Sequence, residues 1–172
     1  MEIRRITQAY RPLVNAFLQE RWFSTVMIIR GRAFDLSGTD GFLLLEDGCI
    51  TALITFYIAG RSCEITSLDS LAENRGAATA LVEKVAAEAA ARGCRHIRVV
   101  TTNDNIRAIR FYHKRGFDLK RLYRNSFMRA RRISRKSRLP AATESHCNTN
   151  WNLSASSPAE KGDRHEKGRS SR

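Results

Sequence analysis

Two stretches combine residue types and spacing that could do chemistry. The first is ENRGAATALV, residues 73–82, between a strand-like run (CEITSLDSL) and a long alanine-rich helical pattern. A strand feeding a helix whose first turn is built of small residues can hold an anion. Unpaired backbone N–H groups and the helix dipole point at the ligand, and small side chains permit close approach. Arg75, Gly76, Ala77, Ala78, Thr79 and Ala80 offer that arrangement plus one cation. Taken alone, the stretch is equally a helix start whose alanines serve propensity and packing. The second is NDNIRAIRFYHKRGF, residues 103–117. Asn105 and Tyr112 stand seven apart, so a helix starting at Asn105 puts them on one face, two turns from each other. A tyrosine hydroxyl with its ordinary pKa of about 10 can protonate a strongly basic leaving group. The plainer alternative makes Phe111 and Tyr112 core residues and Asn105 a helix cap.

The elements around these stretches follow from periodicity. Residues 2–6 suit a short first strand, Thr7 suits a cap, and Leu13, Val14, Phe17 and Leu18 have helical spacing up to Glu20. Pro12 places the start of that helix near itself, because proline is tolerated in a first turn. Residues 21–40 are mixed, with SGTDG as a turn. FLLLE (42–46), Asp47-Gly48 and CITALITFYI (49–58) read as a hairpin. CEITSLDSL is a third antiparallel strand after the turn at Ala59-Gly60-Arg61. A helix from Arg75 to about Arg92 turns Leu81, Val82, Val85 and Ala89 inward, and Gly93 ends it. IRVVTT (97–102) is a strand, Asn103 or Asn105 starts another helix that Gly116 terminates, and FDLKRLY is extended. The order is that of an α/β domain with a mixed sheet.

The two stretches together resemble the GNAT superfamily of acetyl-CoA-dependent acyltransferases. Its cofactor motif, R/Q-x-x-G-x-G/A, is matched by R75-G-A-A78-T-A80-L-V. Its second signature, N-x-x-A-x-x-x-Y-x-x-x-G-F, is matched by Asn105, Ala108, Tyr112, Gly116 and Phe117. The strand–helix–strand–helix order agrees, and the resemblance covers residues 1–133. It implies a mixed, mostly antiparallel sheet flanked by helices, and an N-acetyltransferase using acetyl-CoA and no metal. The backbone of Leu68, Asp69 and Ser70 would meet the pantetheine arm like an added strand. Gly76, Ala77, Ala78, Thr79, Ala80 and Leu81 would wrap the pyrophosphate, Arg75 would add charge, and Asn105 would hydrogen-bond the pantetheine. A primary amine would attack the thioester directly, a backbone N–H on the splayed strand would steady the oxyanion, and Tyr112 would protonate the departing thiolate. Glu64 stands eleven residues before Arg75, where the histone-acetylating branch places its glutamate base; a strand-face charge in solvent is the other reading. The motif's central glycine is here Ala78, whose methyl crowds the pyrophosphate. The acceptor is a small molecule or a protein amine of unspecified identity. Trp22 and Phe23 are candidates for the acceptor pocket or for plain packing, and a homodimer is compatible with the resemblance.

Bulk properties fit a cytoplasmic protein with one domain and an appendage. Of 172 residues, 42% are apolar and 27% charged, with a formal net charge of +13. That charge favours polyanions, which include nucleic acid, anionic membranes and phosphate-rich cofactors alike. Cys49, Cys63, Cys94 and Cys147 lack ligand-like spacing and read as reduced thiols. No apolar run is long enough for a membrane span.

Composition shifts near residue 130. Residues 134–172 hold eight serines, eight Lys/Arg and four Asp/Glu with little apolar periodicity, so a disordered basic tail is expected. Residues 121–138 carry eight basic residues and no acid, which keeps a nucleic-acid-binding module as a rival function. Against it stands the lack of any helix-turn-helix, zinc or aromatic-interleaved RNA motif. A degenerate relative that binds coenzyme A without catalysis is the third reading. Chains similar to this one continue, after an arginine-rich helix like FMRARRI, into a K-P-E-I-P-type segment and a last strand like I-P-x-x-x-E-L-E-L. Allowed codons for Ser134 to Leu153, read from each third base, yield P-E-I-P-L-T-G-C-N-G-I-P-L-Q-H-E-L-E-L. A one-nucleotide shift near Ile133 is therefore expected to have replaced the C-terminus. The last strand would then be missing or replaced, leaving the strands at 97–102 and 117–123 with unpaired edges.

Overall fold

A computed structural model describes residues 2–29, 32–71, 76–124 and 149–156. They form a seven-stranded sheet of order β1-β4-β5-β6-β7-β9-β8 and a separate two-stranded hairpin, β2-β3. The strands are β1 (Ile3–Arg5), β2 (Val26–Ile29), β3 (Arg32–Asp35), β4 (Asp40–Glu46), β5 (Cys49–Ala59), β6 (Ser62–Ser70), β7 (His96–Thr102), β8 (Asp118–Arg124) and β9 (Thr149–Ser156). The helices are α1 (Arg11–Trp22), α2 (Ala77–Ala91) and α3 (Ile106–His113). Every pairing in the large sheet is antiparallel except β6 with β7. This is the mixed, mostly antiparallel sheet with flanking helices expected from sequence.

Local chemistry explains most boundaries. Thr7 makes no side-chain cap; a single 3-10 turn, Gln8–Tyr10, precedes α1, and Pro12 occupies the first helical turn. Val14, Phe17 and Leu18 are buried while Leu13 points outward. Asp47 (φ 51°) and Gly48 (φ 78°) make the β4–β5 turn, whose two left-handed residues match the strand twist. The mixed segment 21–40 contains the β2-β3 hairpin, which periodicity did not reveal.

The sheet divides two cores. On one face α2 and α3 cover Ala52, Ile54, Phe56, Cys63, Ile65, Ile97 and Val99. On the other, α1 covers Leu43, Ile50 and Leu53. Leu81 and Val85 of α2 are fully buried, each contributing about 1.5–3 kcal/mol. Cys63 and Cys94 lie in the first core, and burial pushes the Cys63 thiol up to about 12, so it packs as an inert hydrophobe.

Outside the core, α2 is tied to the sheet edge by charge. Arg5 and Arg92 both bond Glu88, at 2.9 and 2.6 Å, and Arg92 also reaches Asp40 at 2.9 Å. The Arg5 hydrogen bond, with Arg92 behind it, holds the Glu88 carboxyl below its ordinary value. A carboxylate depressed in this way stabilises the fold above its unfolded pKa, and that stability is lost as pH falls through the lowered native value. Glu88→Gln should therefore melt lower than wild type at pH 7, with the gap closing in melts taken at progressively lower pH.

The largest correction concerns the C-terminus. Thr149–Ser156 lies between β7 and β8, pairing Thr101 with Trp151 on one side and Trp151 with Leu122 on the other. The edges expected to stand unpaired are paired, and this part of the tail is a strand rather than disordered. The physical reason is visible in the residues: Trp151, Leu153 and Ala155 alternate with polar neighbours, a period-2 pattern that suits a strand. The rest of the tail lies outside the described residues.

Candidate active site

The site begins with an irregularity in β6. Thr55 pairs with Ser67 and Phe56 with Ile65, so Thr66 is an extra residue without a Cα partner on β5. Such a bulge bends its strand and increases the local twist. The parallel ladder to β7 ends at the same place: it joins Ser62–Ile65 to His96–Val99, although β6 runs on to Ser70 and β7 to Thr102. Beyond Ile65 the two strands part. The buried hydroxyls at the bend satisfy one another, Thr55 Oγ1 lying 2.8 Å from Thr66 Oγ1 and 2.7 Å from Ser67 Oγ.

On the α2–α3 face this opening meets a cavity of about 520 Å³. Its lining includes Ser70, the first turn of α2 (Gly76, Ala77, Ala78, Thr79) and Phe111. Gly76 sits at φ 77° as the N-cap of α2, a conformation that favours glycine and turns the chain into the helix without a side chain in the way. Four cations of the α3 segment, Arg107, Arg110, Lys114 and Arg115, line it together with Ile106, and among the described residues no acidic side chain joins them. Their i, i+3, i+7, i+8 spacing is the signal within NDNIRAIRFYHKRGF that could have found them. Arg115 ties the two helices together: it donates to Thr79 Oγ1 and to the Phe111 carbonyl (2.6 Å), and its guanidinium lies 3.4 Å from the Phe111 ring centroid. Small residues, first-turn N–H groups and cations together form a cradle for a polyanion.

The sequence-derived residues do not all fall in one place. Ser70, Gly76, Ala77, Ala78 and Thr79 meet at the cavity. Leu68 packs against the core beside α2, Leu81 is wholly buried, and Ala80 donates its N–H to the Gly76 carbonyl (3.0 Å) within the helix. Arg75 lies outside the described residues. Asn105 is the N-cap of α3, its Oδ1 accepting the Ala108 N–H at 3.0 Å, so only its amide NH₂ remains to donate elsewhere.

Tyr112 is 4% exposed, its ring edge-on to Phe111 and Phe117. Burial raises its phenol above the ordinary value; Arg115 opposes this and the negative charge of Asp69 adds to it. The hydroxyl therefore keeps its proton at any working pH, while the same burial makes it a weaker acid than a free phenol.

Two buried carboxylates of β6 share the opposite face. Glu64 is paired with Tyr57 and Asp69 with Leu53, and residues directly paired across strands lie on one face. Leu53 belongs to the core under α1, so both point to that side. Glu64, 8% exposed, stands beside Arg98 where β6 and β7 are still joined. Asp69, 9% exposed, lies in the splayed part, its Oδ2 accepting the Trp22 indole N–H at 2.8 Å. Trp22 is thus a partner of the site, while Phe23, at 58% exposure and φ 55°, ends α1. Sequence reasoning counted Asp69 only for its backbone; a contact spanning 47 residues left no local signal.

The model of the acetyltransferase (GNAT) family matches residues 3–117. The uncharacterised protein YxbD of Bacillus subtilis is 41% identical over 134 residues, covering 77% of this chain and 84% of its own length. This chain belongs to the GNAT family. Two solved structures share the GNAT fold. The GNAT acetyltransferase of Streptococcus pneumoniae has a TM-score of 0.66 at 13% identity, with 90% of this chain and 98% of that one covered. The GNAT acetyltransferase of Elizabethkingia anophelis, which has acetyl-CoA bound, has a TM-score of 0.61 at 15% identity, with 90% and 97% covered. This GNAT domain is accordingly an acetyltransferase. Among the described residues no helix is long and apolar enough to cross a membrane.

Proposed function

We propose that this GNAT domain transfers an acetyl group from acetyl-CoA to a primary amine, on a small molecule or a protein, by direct attack. The observation that carries the reading is the parting of β6 from β7 after Ile65, at the mouth of a cation-lined cavity and beside the buried phenol of Tyr112. The donor set suits acetyl-CoA: first-turn amides of α2 with Gly76 to Leu81, and the cations Arg107, Arg110, Lys114 and Arg115, match a phosphate-rich nucleotide. Arg75 adds a further cation in this reading. Leu68, Asp69 and Ser70 lie beyond the end of the β7 ladder, where an extended pantetheine arm would run alongside β6, and the Asn105 amide NH₂ donates to it. The cofactor occupies the α2–α3 side, so the amine arrives from the side of α1. Tyr112 gives its proton to the leaving thiolate. A protonated amine must first lose a proton, and among the described residues Glu64 and Asp69 are the buried carboxylates that β6 presents to its side of the sheet.

Acetyl-CoA and coenzyme A should each raise the melting temperature, as ligands that bind only the folded state do, and a DNA duplex should not. Release of free thiol on adding members of an amine library then separates an enzyme from a coenzyme A sensor. A chain stabilised by DNA alone would reverse the reading.

Ala78 lines the cavity where the family motif has glycine. Ala78→Gly should tighten acetyl-CoA binding by up to about tenfold, ~1.4 kcal/mol. The same change should lower the melting temperature slightly, since glycine in a helix costs about 1 kcal/mol relative to alanine. Titration calorimetry on both proteins checks the first effect, and unchanged affinity would show that the methyl is accommodated.

The same reading covers the tail. We infer that residues 134–172 are the product of a one-nucleotide shift near Ile133. What supports it is that β9 fills the last-strand slot with the same alternation. The final two leucines of the alternative reading share bases with the codons of Trp151 and Leu153. Sequencing the DNA around codon 133 tests it, because codons that do not encode the alternative segment end the idea.

A further inference from the structure

Asp69 is a buried carboxylate to which the sequence assigned only a backbone role, and its surroundings single it out from Glu64. It follows the bulge at Thr66, in the part of β6 that has left β7, whereas Glu64 lies where the two strands are still laddered. Asp69 therefore stands beside the opening through which the two halves of the reaction must meet. Its backbone neighbour Ser70 lines the cavity on the far face, so one strand position separates the cofactor side from the carboxylate. Two side chains from the end of α1 flank it, and one of them fixes its orientation. Trp22 Nε1 donates to Oδ2 at 2.8 Å, and Arg21 Nε stands 3.9 Å from Oδ1, too far for a hydrogen bond. Among the described residues Trp22 is thus the hydrogen-bond donor to Oδ2, while Oδ1 faces the Arg21 cation.

We propose that Asp69 is the general base that takes the proton from the incoming ammonium group, with Trp22 as its positioning residue. The proposal rests on the acetyl-transfer reading above. The ammonium N–H gives its proton to Asp69 Oδ1. The neutral nitrogen lone pair forms a C–N bond to the acetyl carbonyl carbon as the C–S bond breaks. The thiolate takes the Tyr112 proton, the nitrogen returns one to the phenolate, and Asp69 releases its own to water. The net products are amide, free thiol and one proton.

The charge environment agrees. Burial raises the Asp69 carboxyl above its ordinary value, with the Trp22 hydrogen bond and Arg21 pulling it back. Such a shift brings a carboxylate nearer the neutral range in which a base both accepts and returns a proton. The groups facing it are Trp22 and Arg21 from α1, Tyr112 from α3 and, across β5, the apolar Leu53.

The test compares two kinds of nucleophile with the full chain and acetyl-CoA. Primary amines such as spermidine, benzylamine and tyramine are protonated at pH 7 and need a base; hydroxylamine is neutral there and needs none. Asp69→Asn should lower kcat/KM for an accepted amine about 100-fold or more. It should keep hydroxylamine-dependent thiol release, above the uncatalysed background, within about threefold, and keep the thermal shift with acetyl-CoA. Its residual amine activity should rise with pH along the ionisation of the amine itself, without the acid limb of wild type. Glu64→Gln should affect the two nucleophiles in parallel, keeping the ratio of amine to hydroxylamine activity within about threefold of wild type. Equal losses of both nucleophiles in Asp69→Asn, or an amine-specific loss in Glu64→Gln instead, would overturn the assignment. Wild type that acts on hydroxylamine and on no protonated amine would also overturn it, while leaving acetyl transfer in place. Wild type that releases thiol with neither would overturn acetyl transfer and the base together.

Discussion

Tyr112→Phe is expected to slow acetyl transfer by about 10²–10⁴-fold, the usual range for losing a positioned acid, with little change in fold or in acetyl-CoA affinity. The side chain makes the two effects separable. Its ring is packed edge-on between Phe111 and Phe117 inside the core, and phenylalanine preserves all of that contact. Only the hydroxyl is lost, and with it the proton for a departing thiolate. Because burial raises the phenol's pKa, wild type holds that proton across the working range, so its own alkaline limb should not come from Tyr112. Steady-state thiol release for the two proteins, beside their melting curves, checks this. A phenylalanine variant within about threefold of wild type would remove Tyr112 from the mechanism.

Truncation after Asn148 is expected to abolish a stable fold. In the sheet order, β9 separates β7 from β8 and is the neighbour through which β8 joins the sheet. It pairs along seven residues of β7, and Asp118 to Arg124 of β8 are registered against it. At a net ~0.5–1.5 kcal/mol per hydrogen bond, losing both ladders costs an amount comparable with the ~5–15 kcal/mol that holds a typical domain together. The exposed edges would also template aggregation. The truncated chain should appear in the insoluble fraction or show no cooperative melt. A chain whose tail from Ser134 is replaced by P-E-I-P-L-T-G-C-N-G-I-P-L-Q-H-E-L-E-L should melt higher than the chain as given. Equal melts for the truncated and full chains would show that β9 adds nothing to stability.

How much of this was legible beforehand depends on how local each signal was. The β4–β5 hairpin, α2 and the end of α3 were legible because Asp47-Gly48, the Leu81/Val82/Val85/Ala89 spacing and Gly93 or Gly116 act within a few residues. The β2–β3 hairpin was not, because VMII and RAFD are short and no glycine–asparagine turn separates them. The alternation of Trp151, Leu153 and Ala155 was too short to stand out in a polar tail, and it takes its meaning from the pairing with β7 and β8. At the site, the small-residue turn that lines the cavity was readable as a motif. The Trp22–Asp69 hydrogen bond and the Thr66 bulge were not, since both depend on which strands meet.

The position of β9 also sets an order of events for the growing chain. Its two neighbours, β7 and β8, are complete by Arg124, yet the strand that must lie between them starts only at Thr149. During synthesis both neighbours emerge first and wait with open hydrogen-bonding edges until the last strand inserts. Non-local pairing of this kind is slow and leaves the nascent chain exposed to association. Yield in the cell should therefore respond more to synthesis rate and chaperone supply than the stability of the finished fold would suggest.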